Sequence, residues 1–214
     1  MNVKIRSIAG LASVVLLLSA CGNGSSNLGI AATVGDRTIT KQAIEDQVNQ
    51  VRADILELPA DQVKNVPSIQ MLTNLAVHRI IIDDIVEAAL ENKNLVVTDE
   101  EVTAFEQGVY AQYGEDTIVI QVMTNNGVPR QEIHQFMRTV LIEQKLSALI
   151  TPYGDQQAQT EGLLKYLGEL STRIGVDVNP RFGQWNPDIL SPTGTDNILS
   201  TLNPVAQQLA QTQQ

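Results

Sequence analysis

Apolar residues recur at helical spacing through most of the chain, from about residue 40 to about residue 174. In the first such stretch the steps between apolar positions are 4, 3, 4 and 3, in the series Ile44, Val48, Val51, Ile55 and Leu58. Steps of three and four place side chains on one face of an α-helix. A chain with this pattern buries its apolar surface by packing helices together, and we therefore expect a mainly α fold.

Residues that favour helix ends divide this pattern into separate helices. Thr40 and Ser68 are expected N-caps, and Thr98 with Glu101 has the spacing of a capping box. Helices are predicted at about residues 41–58, 69–91, 99–113, 117–125, 129–149 and 155–174. The second of these carries apolar residues on more than one face, so we expect it to lie at the centre of the core.

Short β-prone segments flank the helices. Ile30–Val34 is followed by a turn signal and by residues 38–40, and Val176–Val178 alternates apolar and polar residues. Because a short strand is unstable alone, we expect Ile30–Val34 and Val176–Val178 to pair and to close the domain head to tail. The predicted domain spans residues 30–190, and the polar, Gln-rich residues 191–214 are expected to be disordered.

The N-terminus has the features of a bacterial secretion signal. Lys4 and Arg6 precede an apolar run over residues 8–18, which is shorter than the about 20 residues that span a bilayer. The sequence around Ala20 and Cys21 looks like a lipobox, although a plain cleavable signal with an incidental cysteine is the alternative. We expect a signal peptide over residues 1–20, lipidation of Cys21 and a flexible stem over residues 21–29. The expected location is the extracytoplasmic face of the bacterial membrane.

Composition and motifs exclude several classes of function. The net charge is −10 and the pI is near 4.6, which argues against nucleic acid as a partner. A single cysteine excludes an intrachain disulfide and a Cys-rich metal site. The two histidines, His78 and His134, fall on different predicted helices, and the sequence has no nucleophile elbow, P-loop or dinucleotide fingerprint. We therefore expect no catalytic residue, no metal and no cofactor.

Three segments of the chain resemble the SurA/PrsA class of extracytoplasmic chaperones. These are a strand, turn and Ile-Thr step over residues 32–40, a long helix over residues 127–146, and a closing strand over residues 176–185. The long helix carries Pro129, Glu132, Phe136 and Arg138, followed by Gln144, Lys145 and Leu146. In its order of segments, residues 30–188 are similar to a SurA N-terminal domain. That resemblance implies a multi-helix domain with a small β-sheet that pairs the N- and C-terminal segments.

The parvulin isomerase domain of the larger family members is expected to be absent. Only residues 151–175 lie between the long helix and the closing strand, and they contain a break and one predicted helix. The resemblance then implies a non-catalytic, lipid-anchored chaperone that binds unfolded or secreted polypeptides in an apolar helical groove. A peptidyl-prolyl isomerase and an adaptor lipoprotein for one dedicated envelope partner are the alternative functions.

Aromatic and apolar side chains, on the predicted helices and in the break before the last of them, are the candidate client-binding residues. They are Phe105, Tyr110, Tyr113, Phe136, Met137, Tyr153 and Tyr166. The alternative is that most of them belong to the core, above all Phe105, Phe136 and Met137. The tyrosines suit the edge of a groove better, because a hydroxyl group can stay in contact with water.

Overall fold

The computed structural model describes residues 29–59, 63 and 66–194, and in this part of the chain the fold is mainly α. The α-helices are α1 (Lys41–Leu56), α2 (Ile69–Asn92), α3 (Asp99–Tyr113), α4 (Glu115–Asn126), α5 (Ile133–Ile150) and α6 (Gln156–Ile174). The strands are β1 (Ile30–Val34), β2 (Arg37–Thr40), β3 (Val176–Val178), β4 (Gln184–Asn186) and β5 (Ser191–Thr193). Two short 3-10 helices, Arg130–Glu132 and Pro180–Phe182, precede α5 and follow β3.

The predicted helix starts are confirmed by their capping bonds. The side chain of Thr40 accepts a hydrogen bond from the backbone N–H of Ala43, and the side chain of Ser68 accepts one from that of Met71. Thr98 and Glu101 form both bonds of a capping box. Each cap satisfies N–H groups that the first turn of a helix leaves unpaired.

Strand β1 lies between β2 and β3 in an antiparallel sheet, so the two ends of the domain are joined as expected. Ala32 pairs with Val178 and Val34 with Val176. The pairing continues on both sides of the strands, where the Gly35 N–H donates to the Gly175 carbonyl at 2.8 Å. At the other end the Asn179 N–H donates to the carbonyl of Ala31 at 2.9 Å.

Helix α2 is the centre of the core, as its apolar pattern predicted. It packs against α1, α4, α5, α6 and β1. Ile81, Ile85, Val86 and Ala89 are completely buried along its length. Because these five elements surround α2, the polar residues in the middle of the helix are half-buried and need hydrogen-bond partners within the protein.

The C-terminal segment is ordered further than predicted, because β4 and β5 form a second antiparallel sheet. Trp185 pairs with Pro192, and its indole N–H donates to the Ser171 hydroxyl at 3.1 Å. Ser191 is buried, so the expected disorder of residues 191–193 is wrong and the domain boundary lies beyond residue 190. The predicted signal peptide, Cys21, stem residues 22–28 and tail residues 195–214 lie outside the described residues.

A glycine on α6 lets this C-terminal segment approach the helix closely. A Cβ atom at Gly168 would lie 2.5 Å from the carbonyl oxygen of Pro187, which is closer than unbonded atoms approach. The segment that precedes β5 therefore rests directly on the backbone of α6. Gly168 is completely enclosed on that side, whereas Gly108 on α3 has open space where its side chain would lie.

We expect Gly168→Ala to destabilise the protein by about 1–3 kcal/mol, because the new methyl group overlaps the Pro187 carbonyl and displaces the segment. Thermal unfolding followed by circular dichroism measures the effect.

The matched control is Gly108→Ala, which places a methyl group in open space on a helix. This change should be neutral or should stabilise the protein by up to about 1 kcal/mol. Equal melting temperatures for Gly168→Ala and the unmodified protein would contradict the close packing of this segment on α6.

Candidate functional site

The predicted client-binding residues do not form one surface. Phe136 is 3% exposed and Met137 is completely buried, so both belong to the core and the groove assignment for Phe136 is wrong. Tyr153 lies after the end of α5 and is 100% exposed. Tyr166 on α6 donates a hydrogen bond to the Asn92 side chain at 2.9 Å, at the C-terminal end of α2.

Helix α3 carries the remaining aromatic residues of the prediction, and all three are half-buried. Phe105, Tyr110 and Tyr113 pack against the core. The Tyr110 hydroxyl donates to Glu106 at 2.8 Å, and burial and this carboxylate raise the pKa of Tyr110 above its usual range. These side chains stabilise the packing of α3 on the core, and only their solvent-exposed edges are accessible to a client.

An open cleft of about 360 Å³ lies between α1, α2 and the 3-10 helix before α5. Its lining residues are Ala43, Asp46, Gln47, Gln50, Arg79, Ile80, Gln131 and Glu132. Only Ala43 and Ile80 are apolar, so the cleft differs in character from the apolar groove expected from the sequence. We refer to it as the α1–α2 cleft.

Arg79 forms the most buried charged part of this cleft. Its guanidinium donates to Asp83 at 2.8 Å and to Glu132 at 2.6 Å, and its side chain is only 10% exposed. Its Nε–H is buried and has no hydrogen-bond partner among the described residues. The sequence signal that could have located this site is the single Lys or Arg of α2, which precedes three isoleucines and lies four residues before Asp83.

Two glutamines on α1 form the opposite wall. The Gln47 side-chain amide donates to the Gly127 carbonyl at 3.0 Å, and that of Gln50 donates to Asp54 at 3.0 Å. Asp54 also accepts the backbone N–H of Arg130 at 2.7 Å. These bonds hold both amide groups against the protein.

Gly127 sets the position of this wall. It ends α4 in the left-handed conformation, with φ at +64°, which a glycine adopts without strain. A Cβ atom there would lie 3.0 Å from the Cβ atom of Leu75 on α2. A residue with a side chain would therefore both strain the turn and move the carbonyl that holds Gln47.

A buried polar layer between α2 and α5 continues behind Arg79. The Thr139 hydroxyl donates to Asp83 at 3.0 Å, and the pKa of Asp83 is raised by burial while Arg79 lowers it. Asp83 and the neighbouring Asp84 are both largely buried. Asp84 is paired with Arg37 at 2.6 Å.

Glu143 lies in the same layer and is 4% exposed. Burial, with a smaller contribution from the nearby charge of Asp83, raises the pKa of Glu143 to about 8. Asp83 has Arg79 and Thr139 as partners, so it carries the negative charge of the pair while Glu143 keeps its proton at neutral pH. This arrangement avoids two unpaired carboxylates in the core.

The two histidines stabilise the fold. His78 Nε2 donates to the Leu190 carbonyl at 3.1 Å, and burial lowers the pKa of His78 to about 4, so the ring is neutral. The ring nitrogens of His134 lie 2.7 Å from Glu106 and 3.2 Å from Asp99, and these bonds raise the pKa of His134. Because both nitrogens of His134 face carboxylates, neither is free to take a proton from a substrate.

Within residues 29–59, 63 and 66–194, no group of three His, Cys, Asp or Glu side chains has a metal-binding arrangement. None of the helices described there combines the length and the apolarity that crossing a bilayer requires.

Comparison with known proteins gives no matching family model, and neither a curated protein nor a solved structure matches the chain.

We expect the contribution of Glu143 to the free energy of unfolding to fall as the pH rises from about 4.5 to about 8. In this range the folded state retains the Glu143 proton that the unfolded chain, with its ordinary pKa of 4.5, has lost. Glu143→Gln removes this titration, so the variant should exceed the unmodified protein in stability at pH 8 by on the order of 3 kcal/mol. Urea unfolding at a series of pH values measures the difference.

The difference in the free energy of unfolding between the two proteins reports the contribution of Glu143 alone, because His78 is present and titrates in both. Its lowered pKa acts in the opposite sense, and stability is lost as the pH falls from 6.5 towards 4. Parallel stability curves for Glu143→Gln and the unmodified protein from pH 5 to pH 8 would show that Glu143 is ionised in the fold.

Proposed function

We propose that this chain is a lipid-anchored extracytoplasmic chaperone that binds unfolded or secreted polypeptides and catalyses no reaction. The observation that carries the proposal is the way the domain closes. Helix α6 follows α5 after a short turn, and β3 follows α6 directly and pairs with β1. Residues 151–175 therefore form a turn and one helix. At this place the larger members of the SurA/PrsA class, which the chain resembles, carry an isomerase domain.

Exposed apolar side chains support a binding role. Leu56 at the end of α1 is 78% exposed, Val66 is 62% exposed, and Ile69 at the start of α2 is 56% exposed. We call these three residues the apolar edge. When a client covers exposed apolar side chains, the free energy of binding becomes more favourable by about 25 cal/mol for each Å² of apolar surface removed from water. The costs of association cancel much of this gain, so contact with a client is weak and reversible, as release requires.

The charge of the chain supports the same role. A net charge of −10 keeps complexes with unfolded polypeptides apart and soluble. It also favours clients with basic segments. An anchor at Cys21 would hold the domain at the membrane surface, where secreted polypeptides emerge before they fold.

We expect the double substitution Leu56→Ser and Ile69→Ser to lower the capacity to suppress client aggregation by at least about half, because it removes two of the three side chains of the apolar edge. Light scattering of chemically denatured citrate synthase, diluted into buffer with each protein, measures this capacity. Both substitutions lie at exposed helix ends, so the fold should remain intact.

The matched control is Val96→Ser, which removes a side chain that is 72% exposed between α2 and α3. It should suppress aggregation as well as the unmodified protein. If the protein does not suppress aggregation, but crosslinking in cells recovers one recurrent partner, the result would favour an adaptor lipoprotein. Accelerated isomerisation of a proline peptide would favour the isomerase.

A further inference from the structure

Among the six α-helices of the described chain, α3 buries the fewest residues. Only Val102 and Val109 of its fifteen residues are buried, whereas nine of the eighteen residues of α5 are. Phe105 and Tyr113 complete the inward face of α3, and both are half-buried. Elements with few buried apolar contacts open locally at a lower free-energy cost than unfolding of the whole protein. The packing of α3 therefore allows it to open while the rest of the domain stays folded.

The connections at the two ends of α3 allow it to move as a unit. Gly114 alone separates α3 from α4, and its φ of +85° is one that glycine adopts without strain. Residues 95–98, at the other end, have no regular secondary structure. The capping box of Thr98 and Glu101 satisfies the first turn from within this segment and α3 itself, so the helix keeps its cap when it moves.

A carboxylate lies on the inward face of α3, among the apolar residues that hold the helix. Glu106 is four residues after Val102 and three before Val109, which places it on the same face. Its side chain is 18% exposed and accepts a hydrogen bond from the Tyr110 hydroxyl at 2.8 Å. Its second partner is Nδ1 of His134 on α5, at 2.7 Å. A partly buried carboxylate needs such donors, so the seam between α3 and α5 depends on His134.

His134 holds α3 to α5 through both of its ring nitrogens. Nδ1 faces Glu106, and Nε2 faces Asp99 in the first turn of α3 at 3.2 Å. Only the protonated ring donates from both nitrogens. The neutral ring has one N–H, so its other nitrogen would present a lone pair to a carboxylate. The two hydrogen bonds exist together only when His134 carries a proton.

Other charged groups act on this cluster from neighbouring elements, and they do so through Tyr110. Arg130, in the 3-10 helix before α5, and Glu115, at the start of α4, both affect the Tyr110 hydroxyl that donates to Glu106. The groups that act on His134 directly are Glu106 and Asp99. Hydrogen bonds to these two carboxylates raise the pKa of His134 above its ordinary value of 6.5.

A second ion pair joins the same two helices. Lys145 on α5 donates to Glu101 on α3. Lys145 lies eleven residues after His134 and four after Leu141, which places all three on one face of α5. Leu141 is 9% exposed between the two charged contacts. Movement of α3 away from α5 would therefore uncover an apolar strip on both helices.

We propose that α3 is a hinged lid over α5, which protonated His134 holds closed and which opens more often as the pH rises. When α3 opens, His134 loses both carboxylates and returns to its ordinary pKa. Because the pKa is higher in the closed state, the contribution of His134 to closure is complete below pH 6.5 and is lost as the pH rises through the raised value. This inference goes beyond the proposed function, since it concerns how an apolar strip is covered and not what binds there.

Hydrogen exchange, resolved by mass spectrometry of peptic peptides, measures the opening of α3 at pH 6 and at pH 8.5. Protection factors for a peptide over residues 102–113 are divided by those for a peptide from the core of α2, which removes changes in the stability of the whole domain. We expect this ratio to fall about fivefold or more from pH 6 to pH 8.5, because α3 loses a charge-assisted hydrogen bond. His134→Gln should have the low ratio already at pH 6.

Two further variants serve as controls. Lys145→Gln removes the other ion pair between α3 and α5 but leaves His134 in place. It should lower the ratio at both pH values and retain the fall between them. His134→Lys keeps a positive charge at both pH values, so its ratio should change by less than about twofold.

Two results would overturn the inference. If the ratio falls equally in the unmodified protein and in His134→Gln or His134→Lys, the protonation of His134 does not control α3. If α3 is as well protected as the core of α2 at both pH values, the helix does not open by itself and is not a lid. Neither result affects the suppression of citrate synthase aggregation, so the proposed function is tested separately.

Discussion

The antiparallel pairing of β1 with β3 is the constraint on which the rest of the structure depends. It joins two segments that are separated by the whole helical series, from Ile30–Val34 to Val176–Val178. Closing so long a loop has an entropic cost that grows only slowly with its length, so a few well-placed contacts suffice to offset it. Those contacts include the backbone bonds at Gly35 and Asn179 and the packing of the C-terminal segment on α2 and α6. The pairing of the two strands thereby joins the consecutive helices into one domain.

Helix α2 connects this closure to the candidate site. One of its faces holds His78 against the Leu190 carbonyl, and another holds Arg79 against Asp83 and Glu132. Charges at such positions are tolerated only when they are paired, because burial removes their hydration. The polar layer between α2 and α5 therefore adjoins the α1–α2 cleft through Arg79. A change at Arg79 would alter both the stability of the core and the shape of the cleft.

Much of the fold could be predicted from local patterns, but the site could not. Caps at Thr40 and Ser68 depend on neighbouring residues, and the pairing of β1 with β3 follows from the instability of lone strands. Arg79 and Asp83 have the i,i+4 spacing of a helical ion pair, but the second partner of Arg79, Glu132, comes from another element and depends on how the helices pack, which no local spacing encodes. Phe136 and Tyr153 illustrate the same limit, since both are aromatic and near helices, yet one is core and the other is fully exposed. The hairpin of β4 and β5 was missed because proline and polar residues there are typical of loops.

Truncation tests the closure most directly. A chain that ends at Ile174 lacks β3 and the hairpin, whereas a chain that ends at Gly194 retains both. Thermal unfolding of the two proteins should differ by about 10 °C or more, with the shorter chain less stable, because β1 loses its partner and the apolar faces of α2 and α6 are uncovered. The same melting temperature for both chains would show that the helices are stable without the pairing of the two ends, and it would contradict the account.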